Sequence, residues 1–97
     1  MKKITQEILS KELDRIHRQF KKLVAGGKHR TLEDFSATDS GTYFVQISSP
    51  ERLTDYMSDI IHKSDRAVLI SAKEYPGYYD WASDIYIKDC SVVEFKL

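Results

Sequence analysis

Cysteine is almost absent from this chain, and so are the patterns that usually accompany chemistry. One Cys90 in 97 residues excludes an internal disulfide framework and fits a reducing compartment. The histidines, His17, His29 and His62, are scattered, and neither CxxC nor HExxH occurs. A structural zinc site needs four ligands at close spacing, so no metal and no cofactor are expected. The acids do not fit an EF-hand loop either. The only adjacent glycines, Gly26-Gly27, end a helical pattern rather than begin one, which leaves no phosphate cradle. No long apolar run exists, because Ile4–Val24 is interrupted by charges throughout. That argues against a signal peptide and a membrane-spanning helix, and the expected location is the cytoplasm. No catalytic residues are assigned and no enzyme is expected: Cys90 reads as a residue of a tight hairpin turn, and no pocket-forming loop surrounds any carboxylate pair.

Net charge is absent as well, yet the total conceals a division. Residues 1–32 carry nine Lys and Arg against three acids, a net of +6, and residues 33–97 carry the compensating −6. A chain divided in this way has a dipole, and each half can recognise a partner of opposite sign.

Hydrophobic residues make up 41% and charged residues 31%, the balance of one globular domain over 1–97. Apolar residues at Ile4, Ile8, Leu9, Leu13, Ile16, Phe20, Leu23 and Val24 follow one face of a helix. Residues 28–41 are polar and read as a loop, with one helical turn at Leu32–Phe35. "TYFVQIS" (42–48) and "RAVLISAK" (66–73) have the β-branched and aromatic content of strands. Between them, Ser48 and Glu51 have capping-box spacing and Pro50 suits a first turn, ahead of the stripe Leu53, Tyr56, Met57, Ile60, Ile61. "DIYIK" and "VVEFKL" flank Asp89-Cys90-Ser91 like the arms of a hairpin. The expected fold is α+β: a single small domain, with an antiparallel or mixed sheet of three to four strands and two helices packed on one face.

Two surfaces stand out. Lys11, Arg15, Arg18 and Lys22 form a basic stripe on the first helix, but Glu7 and Asp14 each precede a cation by four residues and read as its partners. With an isoelectric point near 6.8, direct nucleic-acid binding is the less favoured reading. The acidic side is more unusual. Asp55 and Asp59 lie four apart on the second helix, with Glu51 extending the row by a turn. Glu74, Asp80 and Asp84 fall at strand ends or in loops and need no partner within the fold. They share "EYPGYYDWASDIY" (74–86) with five aromatic residues and no Lys or Arg. Trp81 is expected to cap the sheet as a satellite core. The tyrosines Tyr75, Tyr78, Tyr79 and Tyr86 remain available, Tyr78 and Tyr79 foremost, and Tyr and Trp favour interfaces because they join a large apolar body to a polar tip. The candidate partner-binding residues are therefore Glu51, Asp55, Asp59, Glu74, Tyr78, Tyr79, Asp80 and Asp84, and the expected partner is a basic protein surface.

In its size, its lack of a catalytic motif, the acid row Glu51, Asp55, Asp59 and the acidic-aromatic stretch 74–86, the chain resembles the small phage-encoded inhibitors that mimic DNA, of the anti-CRISPR type. The resemblance implies binding to a CRISPR surveillance complex, at a site that accepts target DNA in the host cytoplasm. Two other readings are a nucleic-acid-binding regulator that uses the basic first helix, and an immunity or antitoxin protein that blocks a toxin through the acidic patch.

Overall fold

Helix α1 (Gln6–Ala25) is 20 residues long, about 30 Å at 1.5 Å per residue. The computed structural model describes residues 6–97, so Ile4 of the apolar pattern lies outside them. Ile16 and Phe20 are fully buried, and Leu13, Leu23 and Val24 pack around them; Ile8 stays on the surface. The helix stops where the glycines predict. Gly26 N–H donates to Lys22 O at 2.9 Å, and Arg30 Nη1 donates to Leu23 O at 2.6 Å. A Cβ on Gly27 would displace that guanidinium, so the second glycine lets Arg30 reach the helix end.

The stretch read as a loop with a helical turn is instead a strand, β1 (Thr31–Ala37). It pairs antiparallel with β2 (Tyr43–Ser48), with a bulge between Leu32 and Asp34. The bulge turns Leu32 and Phe35, three residues apart, toward the same core. It therefore breaks the period-two alternation that marks a strand and imitates the spacing of a helix.

Helix α2 (Thr54–His62) begins later than the capping-box spacing implies, with Leu53 at its N-cap and no side-chain cap. Ser48 remains in β2, where its hydroxyl donates to Glu33 Oε2 at 2.6 Å, and Glu51 precedes the helix. Leu53, Met57 and Ile61 are buried, and Tyr56 is exposed.

The remaining strands are β3 (Val68–Tyr75), β4 (Tyr78–Asp80), β5 (Ile85–Ile87) and β6 (Cys90–Lys96). The main sheet has the order β1-β2-β6-β3, and every adjacent pair is antiparallel. Helix α1 packs on β1 and on α2, while α2 covers β3 and β6. Both helices thus lie on one face, and the fold is α+β. The core joins Ile16 and Phe20 to Val45, Ile47, Leu53, Met57, Ile61, Val93 and Phe95. His17 stacks on Phe35 at a centroid distance of 4.2 Å. Burial lowers the pKa of that imidazole, with Lys21 adding to the shift and Asp14 opposing it.

The expected hairpin between the last two segments does not form. Strand β6 lies between β2 and β3, so its backbone groups find partners on both sides, which pairing with β5 could not supply. Cys90 is accordingly no turn residue: it opens β6, opposite Ser48 on one side and Tyr75 on the other. Strand β5 pairs with β4 in a separate two-stranded ribbon.

Candidate functional site

The ribbon prolongs the β3–β6 ladder beyond the body of the domain. The last pair of that ladder is Tyr75 with Cys90, and the ribbon resumes with Tyr78 opposite Ile87. The molecule is correspondingly long, with principal extents of 58 × 29 × 17 Å. Gly77 forms the joint. Its N–H donates to Asp89 Oδ1 at 2.6 Å, and a Cβ there would lie 2.5 Å from Ile87 O. No side chain fits in that gap.

Within the arm, directly opposed residues share a face. Tyr79 and Tyr86 oppose each other on one face, while the pairs Tyr78–Ile87 and Asp80–Ile85 occupy the other. The tip is the four-residue loop Trp81 to Asp84. Asp80 organises it: Oδ1 accepts the Ala82 amide at 3.1 Å, Oδ2 accepts the Ser83 hydroxyl at 2.8 Å, and its carbonyl accepts the Asp84 amide at 2.8 Å. The Ser83 hydroxyl and then the Ala82 amide hold the carboxyl below the usual aspartate range. Asp84 closes the loop at φ 59, a left-handed conformation that Asp tolerates better than most residues.

This turn leaves Trp81 85% exposed, contrary to the expected satellite core. Its one ring partner among the described residues is Tyr79, edge-on at 4.8 Å. Tyr75, Tyr78, Tyr79, Ile85 and Tyr86 are also exposed. The loop that carries the indole belongs to the separate β4–β5 ribbon and not to the four-stranded sheet.

The acids separate into different environments. Asp80 and Asp84 are at the arm tip, beside Tyr78 and Tyr79. Asp55 and Asp59 are exposed on α2, and Asp59 shares a shallow cleft with Lys22 and Lys63. Glu51 does not extend their row: it lies outside the helix and pairs with Arg30 at 3.1 Å. Glu74 serves the fold. Oε2 accepts both the N–H and the hydroxyl of Thr54, at 3.0 and 2.8 Å, and Oε1 accepts the Ser91 hydroxyl at 2.8 Å. It thereby supplies an acceptor at the start of α2 that Ser48 was expected to provide. Ser91 Oγ in turn accepts the Leu53 amide at 3.1 Å. The expectation that none of these acids needs a partner is thus corrected for Glu51, Glu74 and Asp80.

Glu74→Ala strands a buried Ser91 hydroxyl and an α2 amide, each unmet group costing about 1–3 kcal/mol. A drop in melting temperature is expected in thermal denaturation, while Asp55→Ala leaves it unchanged.

Among the described residues, no three His, Cys, Asp or Glu side chains group to hold a metal ion, and no helix is long and apolar enough to cross a membrane. Burial raises the Cys90 thiol above its ordinary range, with Glu74, Asp89 and Glu33 adding to the shift and Gln46 opposing it. The shift is opposite to the one that activates a nucleophile. Comparison with protein-family models, curated proteins and solved structures finds no match to this chain.

Trp81 is the functional candidate whose place the apolar pattern of the sequence does not indicate, and Ile85 joins it, beside the exposed Tyr75 and Tyr86. The available signal was "DWASD": an Asp able to cap a turn, two small residues and a second Asp able to adopt the left-handed conformation. Together these indicate a loop tip, where an aromatic residue has no core to enter.

Proposed function

We propose that this chain is a small protein-binding inhibitor that seats its β4–β5 arm in a basic groove of a nucleic-acid-handling complex. The exposure of Trp81 at the end of a ribbon that leaves the sheet at Gly77 carries this reading. A two-stranded ribbon is marginal by itself in water, and this one presents aromatic side chains on both faces, a surface suited to burial against a partner.

Magnitudes divide the work between aromatics and acids. A buried Trp removes roughly 200 Å² from water, worth about 5 kcal/mol at 25 cal/mol per Å² before the costs of association. An exposed carboxylate at an interface rim contributes about 0–1 kcal/mol and is weakened by salt. Trp81, Tyr78 and Tyr86 therefore anchor the complex. Asp80 and Asp84 steer the arm into a positive groove and occupy positions where phosphates would lie. Asp55 and Asp59, on α2 and away from the arm, contribute less than the sequence pattern suggests.

A CRISPR surveillance complex, the partner implied by the resemblance to DNA-mimic inhibitors, is the first to test. Binding of this chain and of target DNA is expected to be mutually exclusive in a competition assay with the purified complex. Unperturbed simultaneous binding of both would refute the mimicry. Asp84→Gly keeps the turn geometry and removes one tip charge, so its effect is expected in the association rate and its salt dependence, with little change in dissociation.

A further inference from the structure

At the end of the domain opposite the arm, a groove runs between α1 and the α2–β3 connection. Helix α2 runs from Thr54, bonded to Glu74 near the arm's root, to its end beside Ser64, whose hydroxyl donates to Glu12 of α1. Strand β3 then returns from Val68 to Tyr75, where the arm begins. Lys11, Arg15 and Arg18 of α1 and Arg66 of the connection line the groove, a space of about 460 Å³. Lys63 and Arg66 line an adjoining cleft with Arg15.

The i,i+4 partners inferred from the sequence are not engaged. The ion pairs among the described residues are Arg15–Glu12 and Arg30–Glu51, so Lys11, Arg18, Lys63 and Arg66 form none. Glu12 is fully committed: it accepts Arg15 Nη2 at 2.6 Å and Nε at 3.3 Å, as well as the Ser64 hydroxyl. The Arg15 and Ser64 hydrogen bonds hold its carboxyl below the usual range. That arrangement fixes Arg15 in place and spends the acid nearest the groove. With that pair set aside, Asp14 and Asp65 remain against the four cations Lys11, Arg18, Lys63 and Arg66.

We propose that this groove binds the sugar–phosphate backbone of nucleic acid, independently of the arm. Lys11 to Arg18 spans seven residues of helix, about 10 Å at 1.5 Å per residue. Projected on the duplex axis, that length takes in about three charges of one strand at ~3.4 Å each. Arg66 adds a contact from a second element. The groove has no exposed aromatic platform, so it contacts the backbone and does not read sequence.

Fluorescence anisotropy with labelled mixed-sequence duplex DNA, single-stranded DNA and single-stranded RNA tests the groove. Four contacts predict that log affinity falls against log salt with a slope of about −3 to −4 on the duplex. The triple variant Lys11→Ala/Arg18→Ala/Arg66→Ala changes exposed side chains and should keep its melting temperature. It is expected to lose more than about tenfold in affinity at low salt, with a slope shallower by about 2–3. Trp81→Ala is expected to bind the oligonucleotides normally, which separates this groove from the arm. Absence of binding at low salt would overturn the proposal. So would a triple variant of unchanged affinity and slope, or polyglutamate displacing the oligonucleotides as effectively as unlabelled DNA. The last result would assign the groove to an acidic protein instead.

Discussion

Trp81→Ala is expected to keep the wild-type melting temperature while weakening binding to the partner groove by about thirtyfold or more, the scale of a hot-spot residue worth at least 2 kcal/mol. The fold does not depend on this side chain. The indole is 85% exposed and touches one other ring, Tyr79, an edge contact worth about 0.5–1.5 kcal/mol at most. The loss should appear mainly as faster dissociation, because the aromatic body supplies contact area rather than long-range attraction. Tyr78→Ala and Tyr86→Ala should follow in the same direction with smaller effects, since each ring is also exposed, at 59% and 61%. Surface plasmon resonance alongside thermal denaturation reads both quantities. A Trp81→Ala protein that binds like wild type would remove the arm from the interface. The charge-reversed Asp55→Lys/Asp59→Lys protein would then be the next to measure, since it tests the α2 surface alone.

Phe20→Asp and Ile16→Asp are expected to abolish the cooperative thermal transition. Both side chains are fully buried in the cluster that joins α1 to the sheet. Phe20 meets Phe35 edge-on at 6.0 Å, and Phe35 lies 6.4 Å from Phe95, so one charge disturbs contacts reaching from β1 to β6. Losing a buried aromatic costs about 3–5 kcal/mol, and an unpaired carboxylate adds several more. A domain of this size holds about 5–15 kcal/mol in all. Val68→Asp provides the contrast: that edge position of β3 is half exposed, and its variant should melt near wild type. If the Phe20 and Ile16 variants melted normally, α1 would be an independent arm and the two-helix layer would not exist.

Legibility followed the range of the interactions involved. The apolar stripe of α1, its glycine stop, the body of α2 and the strands β2 and β3 were readable because their signals are local periodicities repeated over several residues. Strand β1 was not, since its bulge at Glu33 hides alternation behind helix-like spacing. The start of α2 was misread because its first amide is met by Glu74, 20 residues away in sequence, and not by the nearby Ser48. The same distance misled the reading of the acids. Glu51 and Glu74 looked free only because Arg30, Thr54 and Ser91 cannot be seen as neighbours along the chain.

The order of residues along the chain already implies a two-helix α+β domain with a divided charge and an acidic-aromatic segment rich in surface-seeking side chains. Those properties follow from composition and short-range pattern. Only the tertiary structure decided what the segment becomes. Strand β6 gains hydrogen bonds on both sides by entering between β2 and β3, so β5 is left to pair with β4. Gly77 admits the joint that Asp89 bonds, and the resulting ribbon carries Trp81 away from any core that could cover it. The same packing brings Arg66 beside Lys11, Arg15 and Arg18, across a separation in sequence that no periodicity reports. Backbone pairing and side-chain convergence between distant segments are properties of the folded chain, and both candidate surfaces arise from them.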